Sequence, residues 1–163
     1  MYPDSIRNLI ESFKYLPGIG EKTAERLAFA VLDLEEEQTE LFAESLVDVK
    51  KKIHYCSKCN SLTENELCFV CSDLTRDKKI LCVVEDIKNV FLFEKLGMFH
   101  GYYHVLKGLI SPLDGINPED IGIDKLLDRI INEGFEEIIF AFKPSIEGET
   151  TALYIKKILS HPI

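Results

Sequence analysis

Cys56-Ser57-Lys58-Cys59 and Cys68-Phe69-Val70-Cys71 are two Cys-x-x-Cys pairs separated by eight residues. Each pair can turn its two sulfurs to the same side, and the short polar loop can bring the pairs together around one tetrahedral zinc ion. The alternatives are two disulfides or four buried thiols, and the absence of a secretion signal disfavours disulfides. Because four thiolates leave no open coordination position, the spacing predicts a structural zinc site at Cys56, Cys59, Cys68 and Cys71.

The sequence after the cysteines predicts an alternation of strands and helices. Its clearest strand is the apolar run Ile80-Leu81-Cys82-Val83-Val84, in which Cys82 is expected to be a buried core residue. Alternation of this kind is typical of a mostly parallel sheet covered by helices on both faces. The predicted elements lie at about 80–84, 88–96, 101–106, 124–132, 137–142 and 149–160.

Three amphipathic helices are predicted before the cysteines. The first covers 4–14 and is expected to be capped by Asp4 or Ser5, and the third begins near Glu35. The residues expected to be buried are Ile6, Leu9, Ile10 and Phe13 in the first helix; Ala24, Leu27, Ala28 and Val31 in the second; Phe42, Leu46, Val49 and Ile53 in the third; and Leu127, Ile130 and Ile131 in the later helix at 124–132.

The first two helices are joined by Leu16-Pro17-Gly18-Ile19-Gly20. Glycines allow a tight turn that points backbone N–H groups at an anion, and Lys22 and Arg26 add positive charge one helical turn apart. This pattern looks like a helix-hairpin-helix, which grips nucleic-acid phosphates without reading bases. A plain helical hairpin with capping glycines is the alternative. The predicted DNA contacts are Gly18, Ile19, Gly20, Lys22 and Arg26.

Acidic side chains follow two of the predicted strands: Glu85 and Asp86 after the first, and Glu147 and Glu149 after the third. Carboxyl ends of parallel strands meet at one edge of a sheet, so these acids are expected to converge there. Such carboxylates could hold Mg²⁺ or bind a partner. Ordinary solvated loop residues are the alternative.

The chain is acidic, with 19 basic and 28 acidic side chains and a net charge of −9. No segment is basic: residues 1–55 carry seven basic and eleven acidic side chains, and 80–163 carry eight and thirteen. Any DNA binding must therefore come from a few local cations or from several copies acting together. With no apolar stretch of bilayer length and no signal peptide, the expected location is cytoplasmic and no membrane is an expected partner.

The order of these parts resembles the RecR family of bacterial recombination mediators, and the resemblance covers the whole chain. It implies that the last part is a Toprim domain, with Glu85 matching the family's single glutamate and Glu147 and Glu149 its second acidic motif. Besides the glycine turn, it is carried by Tyr103-His104-Val105-Leu106-Lys107-Gly108, Ser111-Pro112-Leu113-Asp114-Gly115 and Pro144-Ser145-Ile146-Glu147-Gly148-Glu149-Thr150-Thr151-Ala152-Leu153-Tyr154.

The predicted fold is therefore an α+β protein of three modules. These are a helical helix-hairpin-helix region at 1–54, a four-cysteine zinc finger with a hinge at 55–79, and an α/β Toprim domain with a mostly parallel sheet at 80–163. Two departures from the family stand out. Lys143 replaces a small polar residue, where a cation could compensate for or displace a metal. The chain stops at Ile163, where the family continues through a further strand, a glycine-rich segment and a C-terminal tail.

The resemblance implies a non-enzymatic DNA-repair protein that assembles as a dimer or ring-shaped tetramer in the nucleoid. With RecO-like and RecF-like partners, it would load the RecA recombinase at DNA gaps covered by single-strand-binding protein. Zinc would be structural, and Glu85, Asp86, Glu147 and Glu149 would bind a partner or weakly bound Mg²⁺. One alternative is a Mg²⁺-dependent Toprim enzyme of primase, nuclease or topoisomerase type that uses Glu85, Glu147 and Glu149. Another is a zinc-dependent scaffold without a DNA role.

Overall fold

The computed structural model describes residues 2–159 and divides into two compact units, with the boundary between Lys52 and Ile53. The first unit contains three helices, α1 (Asp4–Phe13), α2 (Glu21–Leu32) and α3 (Glu36–Lys52). Helices α1 and α2 pack together because their apolar stripes face each other. Ile10, Ala24 and Ala28 are buried at this contact, and the surrounding side chains are Ile6, Leu9, Phe13 and Ile19.

Two predictions for the first unit are wrong. Helix α1 begins after Pro3, so Asp4 and Ser5 lie inside its first turn and no side chain caps it; Asp4 pairs with Arg7 instead. Helix α3 buries none of its residues. The stripe predicted to be buried is exposed at Phe42, Leu46 and Val49, because within residues 2–159 no element covers it.

The second unit opens with the zinc-finger module. Strand β1 (His54–Tyr55) pairs antiparallel with β2 (Leu62–Thr63), and the short helix α4 (Phe69–Ser72) follows. These elements place the two cysteine pairs opposite each other.

The rest of the second unit is a three-stranded parallel sheet in the order β4-β3-β5, which confirms the predicted fold class. Its strands are β3 (Ile80–Val84), β4 (Tyr102–Val105) and β5 (Glu137–Ala141), and its helices are α5 (Ile87–Leu96), α6 (Ile123–Glu133) and α7 (Ile146–Leu159). Val84 is in register with Val105 on one side and Ala141 on the other, so all three strands end at one edge.

The core of the second unit lies around β3. Leu81, Val83 and Val84 are fully buried, and Cys82 is also buried, which raises its pKa to about 11. At the edge of the sheet, β5 is less covered, and Ile139 is 38% exposed. In contrast to β3, β5 is therefore not shielded on both faces.

Two sequence-based predictions for the later helices are corrected by the structure. Ile131 is 74% exposed, because α6 turns Leu126 and Arg129 to the core in addition to Ile130. Helix α7 begins at Ile146 and not near residue 149, since the Ser145 hydroxyl accepts a hydrogen bond from the Gly148 N–H at 3.1 Å. Across residues 2–159, no helix has the length and apolarity needed to cross a membrane.

Candidate functional site

The four predicted zinc ligands lie together in the zinc-finger module. Cys56, Cys59, Cys68 and Cys71 are buried, and their sulfurs all lie within 4.8 Å of one another, with Cys59 and Cys68 3.5 Å apart. Four thiolates about 2.3 Å from one zinc ion would be separated by about 3.8 Å in a regular tetrahedron. The cluster therefore fits a zinc site with four cysteine ligands, as predicted.

Backbone N–H groups surround these sulfurs. Ser61 donates to Cys59 at 3.4 Å, Cys68 donates to Cys56 at 3.3 Å, and Cys71 donates to Cys68 at 3.5 Å. Hydrogen bonds from the Cys59 and Cys71 thiols lower the pKa of Cys68, and the same pairing raises the pKa of Cys59. The donors stabilise negative sulfur, which is the form that a metal binds.

The finger is attached to the sheet at the end of β4. The Val105 N–H donates to the Cys59 carbonyl at 2.8 Å, and the Asn60 side-chain amide donates to the Val105 carbonyl at 3.1 Å. Asn60 has a left-handed φ of 62°, and its side-chain oxygen accepts from Lys125 at 2.7 Å. Asn60 was not among the predicted site residues, although asparagine is a residue type that tolerates this conformation.

Arg76 forms a second attachment, within the segment predicted to be a hinge. Its side chain is 12% exposed and forms a bidentate pair with Glu94 of α5. It also donates to the Gly101 carbonyl at 3.1 Å, and its Nε lies 3.5 Å from a carboxylate oxygen of Asp73. One guanidinium group thus joins the end of the finger, α5 and the start of β4.

The glycine turn of the first unit has the geometry of a phosphate-binding hairpin. Gly18 has a left-handed φ of 81°, and the Ile19 N–H donates to the Leu16 carbonyl at 3.2 Å. Gly20 precedes the first residue of α2 in extended conformation. The N–H groups of the first turn of α2 have no intrahelical acceptor and are available to an anion.

Lys22 and Arg26 are the available cations beside this turn. Both are exposed, lie four residues apart on α2, and form no hydrogen bond or ion pair within residues 2–159. Lys14, in contrast, pairs with Glu21 at 2.8 Å and Glu11 at 2.9 Å, which raises its pKa. Arg7 on α1 is likewise paired, with Asp4, so the hairpin neutralises two of its cations and leaves two for a ligand.

The acids at the strand ends are only partly brought together. Both carboxylate oxygens of Glu85 accept the Lys143 N–H at 3.0 Å, and Asp86 accepts the Lys88 N–H at 2.9 Å at the start of α5. Glu85 and Glu147 line a cavity of about 300 Å³ with Lys143 and Asp114.

The surroundings of Glu147 in this cavity lower its pKa. Hydrogen bonds from its own backbone N–H and from Ser145 lower the pKa of Glu147. The positive charge of Lys143 lowers this pKa further, whereas the negative charge of Asp114 raises it. Asp114, at the end of a short helical turn that begins at Pro112, was not among the predicted site residues. In the described part of the chain, no three carboxylates come close enough to share an ion, and Glu149 does not line the cavity.

Comparison with known families gives a match for each of the three parts of the chain. Residues 6–50 match the family described as RecR, helix-hairpin-helix, and 53–73 match the RecR zinc finger domain with four cysteines. Residues 79–163 match the Toprim domain. The exact module boundaries of the sequence analysis stay a prediction.

Individual relatives agree with these family matches. The Recombination protein RecR of Staphylococcus haemolyticus (strain JCSC1435) is 52% identical over 158 residues. That of Staphylococcus aureus (strain Newman) is 51% identical over the same length. Each alignment covers 97% of this chain and 80% of the relative.

Proposed function

Because the chain belongs to the RecR family of recombination proteins, we propose that it grips DNA through the α1–α2 hairpin during recombinational repair. The observation that carries this proposal is the pair Lys22 and Arg26, exposed and unpaired within residues 2–159 beside the free N–H groups of α2. Gly18, Ile19 and Gly20 would bring the backbone against a phosphate. Such contacts position a protein on DNA without reading its sequence.

The family also bears on the remaining predictions about activity and metal. The relatives are named as a recombination protein and not by an enzymatic activity, which agrees with the expected non-enzymatic role. Zinc bound by the four cysteines would stabilise the finger, since four thiolates leave no position for substrate.

Self-association would reconcile an acidic chain with a polyanionic ligand. A single hairpin offers two free cations against a net charge of −9, whereas several hairpins facing one DNA molecule add their attraction. The exposed face of α3, with Phe42, Leu46 and Val49, is a surface that a second copy could bury. We therefore propose a dimer or a ring-shaped tetramer.

Within the cell, the assembly would act in the cytoplasm on DNA of the nucleoid. Its substrate would be a single-strand gap or a single-strand/double-strand junction. With RecO-like and RecF-like partners, it would help to load RecA recombinase where single-strand-binding protein covers the DNA. The cavity lined by Glu85, Asp114 and Glu147 carries three carboxylates against the single cation Lys143, which supports a contact with a basic partner segment.

The test of DNA binding is the double variant Lys22→Ala/Arg26→Ala. Loss of two phosphate contacts per hairpin is expected to weaken binding of a gapped duplex at least about tenfold. The negative slope of log affinity against log salt concentration should become shallower by about 2 for each hairpin that contacts the DNA. Fluorescence anisotropy across a salt series measures both quantities.

The matched control is Lys88→Ala/Lys95→Ala, which removes the same charge from exposed positions on α5. This control should bind the gapped duplex within about twofold of the parent. If the α2 double variant retains parental affinity and salt dependence, the hairpin is not the DNA contact.

A further inference from the structure

Helix α5 presents an apolar face to solvent. Phe91, Leu92 and Leu96 are 41%, 52% and 60% exposed, and Met98, just beyond the helix, is 84% exposed. From the zinc finger, Phe69 extends this surface, since its ring lies 6.4 Å from that of Phe91 and is also half exposed. These five apolar residues, together with Lys88 and Lys95 between them, are called the α5 patch below.

The α5 patch is positively charged on a negatively charged chain. Lys88 and Lys95 lie on the same helical face as Phe91 and Leu92, are exposed, and form no ion pair within residues 2–159. The one acid within α5, Glu94, is neutralised by Arg76, and the charged Asp86 side chain just before the helix is held at its N-terminus by accepting the Lys88 N–H. No free carboxylate of α5 therefore opposes an incoming negative charge.

The dimensions of the α5 patch suit a short segment. Ten helical residues span about 15 Å, which matches a partner helix of similar length or about five residues of extended chain. A standard interface between folded proteins needs about 20–30 residues on each side. The patch offers seven side chains, so a peptide-sized ligand fits it better than a folded domain.

We infer that the α5 patch binds an acidic amphipathic peptide segment of a partner protein, with apolar side chains on Phe69, Phe91 and Leu96 and carboxylates on Lys88 and Lys95. The apolar contact supplies affinity, and the two ammonium groups select for negative charge. This inference does not depend on DNA binding by the hairpin, because the two surfaces share no residue.

Fluorescence anisotropy tests the inference directly. The probe is a fluorescein-labelled peptide of about six residues that alternates Asp with Leu or Phe, added to the full zinc-loaded chain. Saturable binding is expected. The affinity for the peptide should fall at least about tenfold in the variant Lys88→Glu/Lys95→Glu, because two favourable charge pairs become two repulsive ones. The matched charge reversal Lys50→Glu/Lys51→Glu on α3 should change it by less than about twofold.

Two further measurements separate this partner from other occupants. Leu92→Ser/Leu96→Ser should remove binding while circular dichroism stays unchanged, and a probe with Asn in place of Asp should bind at least about tenfold more weakly. Failure of the acidic probe to bind, or equal binding of the Asn probe, would overturn the inference. So would a decrease in sedimenting mass of the Leu92→Ser/Leu96→Ser variant without peptide, because the patch would then be a contact between copies.

Discussion

Gly148 allows α7 to begin close to the loop that follows β5. A Cβ atom at this position would lie 2.4 Å from the Lys143 carbonyl oxygen, a backbone atom that cannot swing away. We expect Gly148→Ala to lower the free energy of unfolding by about 1–3 kcal/mol, as overpacking does. Urea unfolding monitored by circular dichroism measures the change.

The sign of the change in unfolding free energy shows whether the close approach at Gly148 matters. Replacing glycine by alanine inside a helix ordinarily stabilises it by about 1 kcal/mol. The neighbouring exposed Glu149→Ala should change stability by less than about 0.5 kcal/mol and serves as the control. A Gly148→Ala protein as stable as its parent would mean that α7 does not need this close approach.

His104 is a buried residue of β4 whose ring should remain neutral in acid. Burial lowers its pKa from 6.5 to about 3, and the charges of Arg129 and Lys125 act in the same direction. Below pH 6.5 the unfolded chain takes up a proton that the folded chain refuses, so stability should fall with decreasing pH. The loss amounts to at most about 1.4 kcal/mol per pH unit.

Urea unfolding of the zinc-loaded parent and of the His104→Leu variant tests this prediction. The measurements run from about pH 7.5 to about pH 5.5, because a histidine in an unfolded chain titrates in this range. The free energy of unfolding of the variant should depend less steeply on pH, by an amount that corresponds to at most one proton. Protonation of the cysteines affects both proteins and cancels in the comparison. Parallel pH dependences would show that His104 titrates normally in the folded chain.

At the scale of elements, the zinc finger depends on its metal. Strands β1 and β2 have only two residues each, too few to hold the module without the four thiolates. Removing zinc with a chelator should therefore increase amide hydrogen exchange across residues 54–72 and at Val105, whose N–H bonds to Cys59. The amides of β3 should remain protected, because that strand is paired on both sides.

Hydrogen exchange read by mass spectrometry measures these regions separately. Adding zinc back should restore protection at 54–72 and at Val105, which controls for damage by the chelator. If exchange across 54–72 stays slow without metal, the finger is held by packing alone.

Elements set by local signals were predictable from the sequence. The cysteine spacing and the apolar run of β3 each depend on a few neighbouring residues, and both agree with the structure. Contacts between residues far apart in the sequence were not predictable in this way. Glu85 accepts a backbone N–H of Lys143, 58 positions away, and no local pattern announces that pairing.

Amphipathic patterns also locate a helix better than they identify what covers it. The apolar stripe of α3 was predicted to be buried, yet Phe42, Leu46 and Val49 are exposed in a single chain. On α6, Ile131 was expected in the core, but Arg129 is buried there by donating to the Tyr103 carbonyl at 2.6 Å. A search for an apolar stripe does not find a polar side chain such as Arg129, which is buried because it has a buried hydrogen-bond acceptor.

At the scale of the whole molecule, the exposed face of α3 predicts self-association. Leu46→Ser/Val49→Ser should shift the protein toward smaller assemblies in sedimentation velocity, because burial of both side chains would contribute about 3 kcal/mol or more per contact. The matched control Leu113→Ser/Leu153→Ser alters two exposed leucines of the second unit and should leave the assembly unchanged. A variant that sediments as the parent does would exclude α3 from the contact between copies.

The hydrogen bond from the Val105 N–H to the Cys59 carbonyl also has a consequence for folding during translation. Val105 follows Cys71 by 34 positions, so all four cysteines emerge before the strand on which the finger rests. At about 5–20 residues per second, that interval lasts roughly 2–7 s. During this time the nascent thiols must either capture their ion unsupported or wait, reduced and exposed, for the sheet to be synthesised.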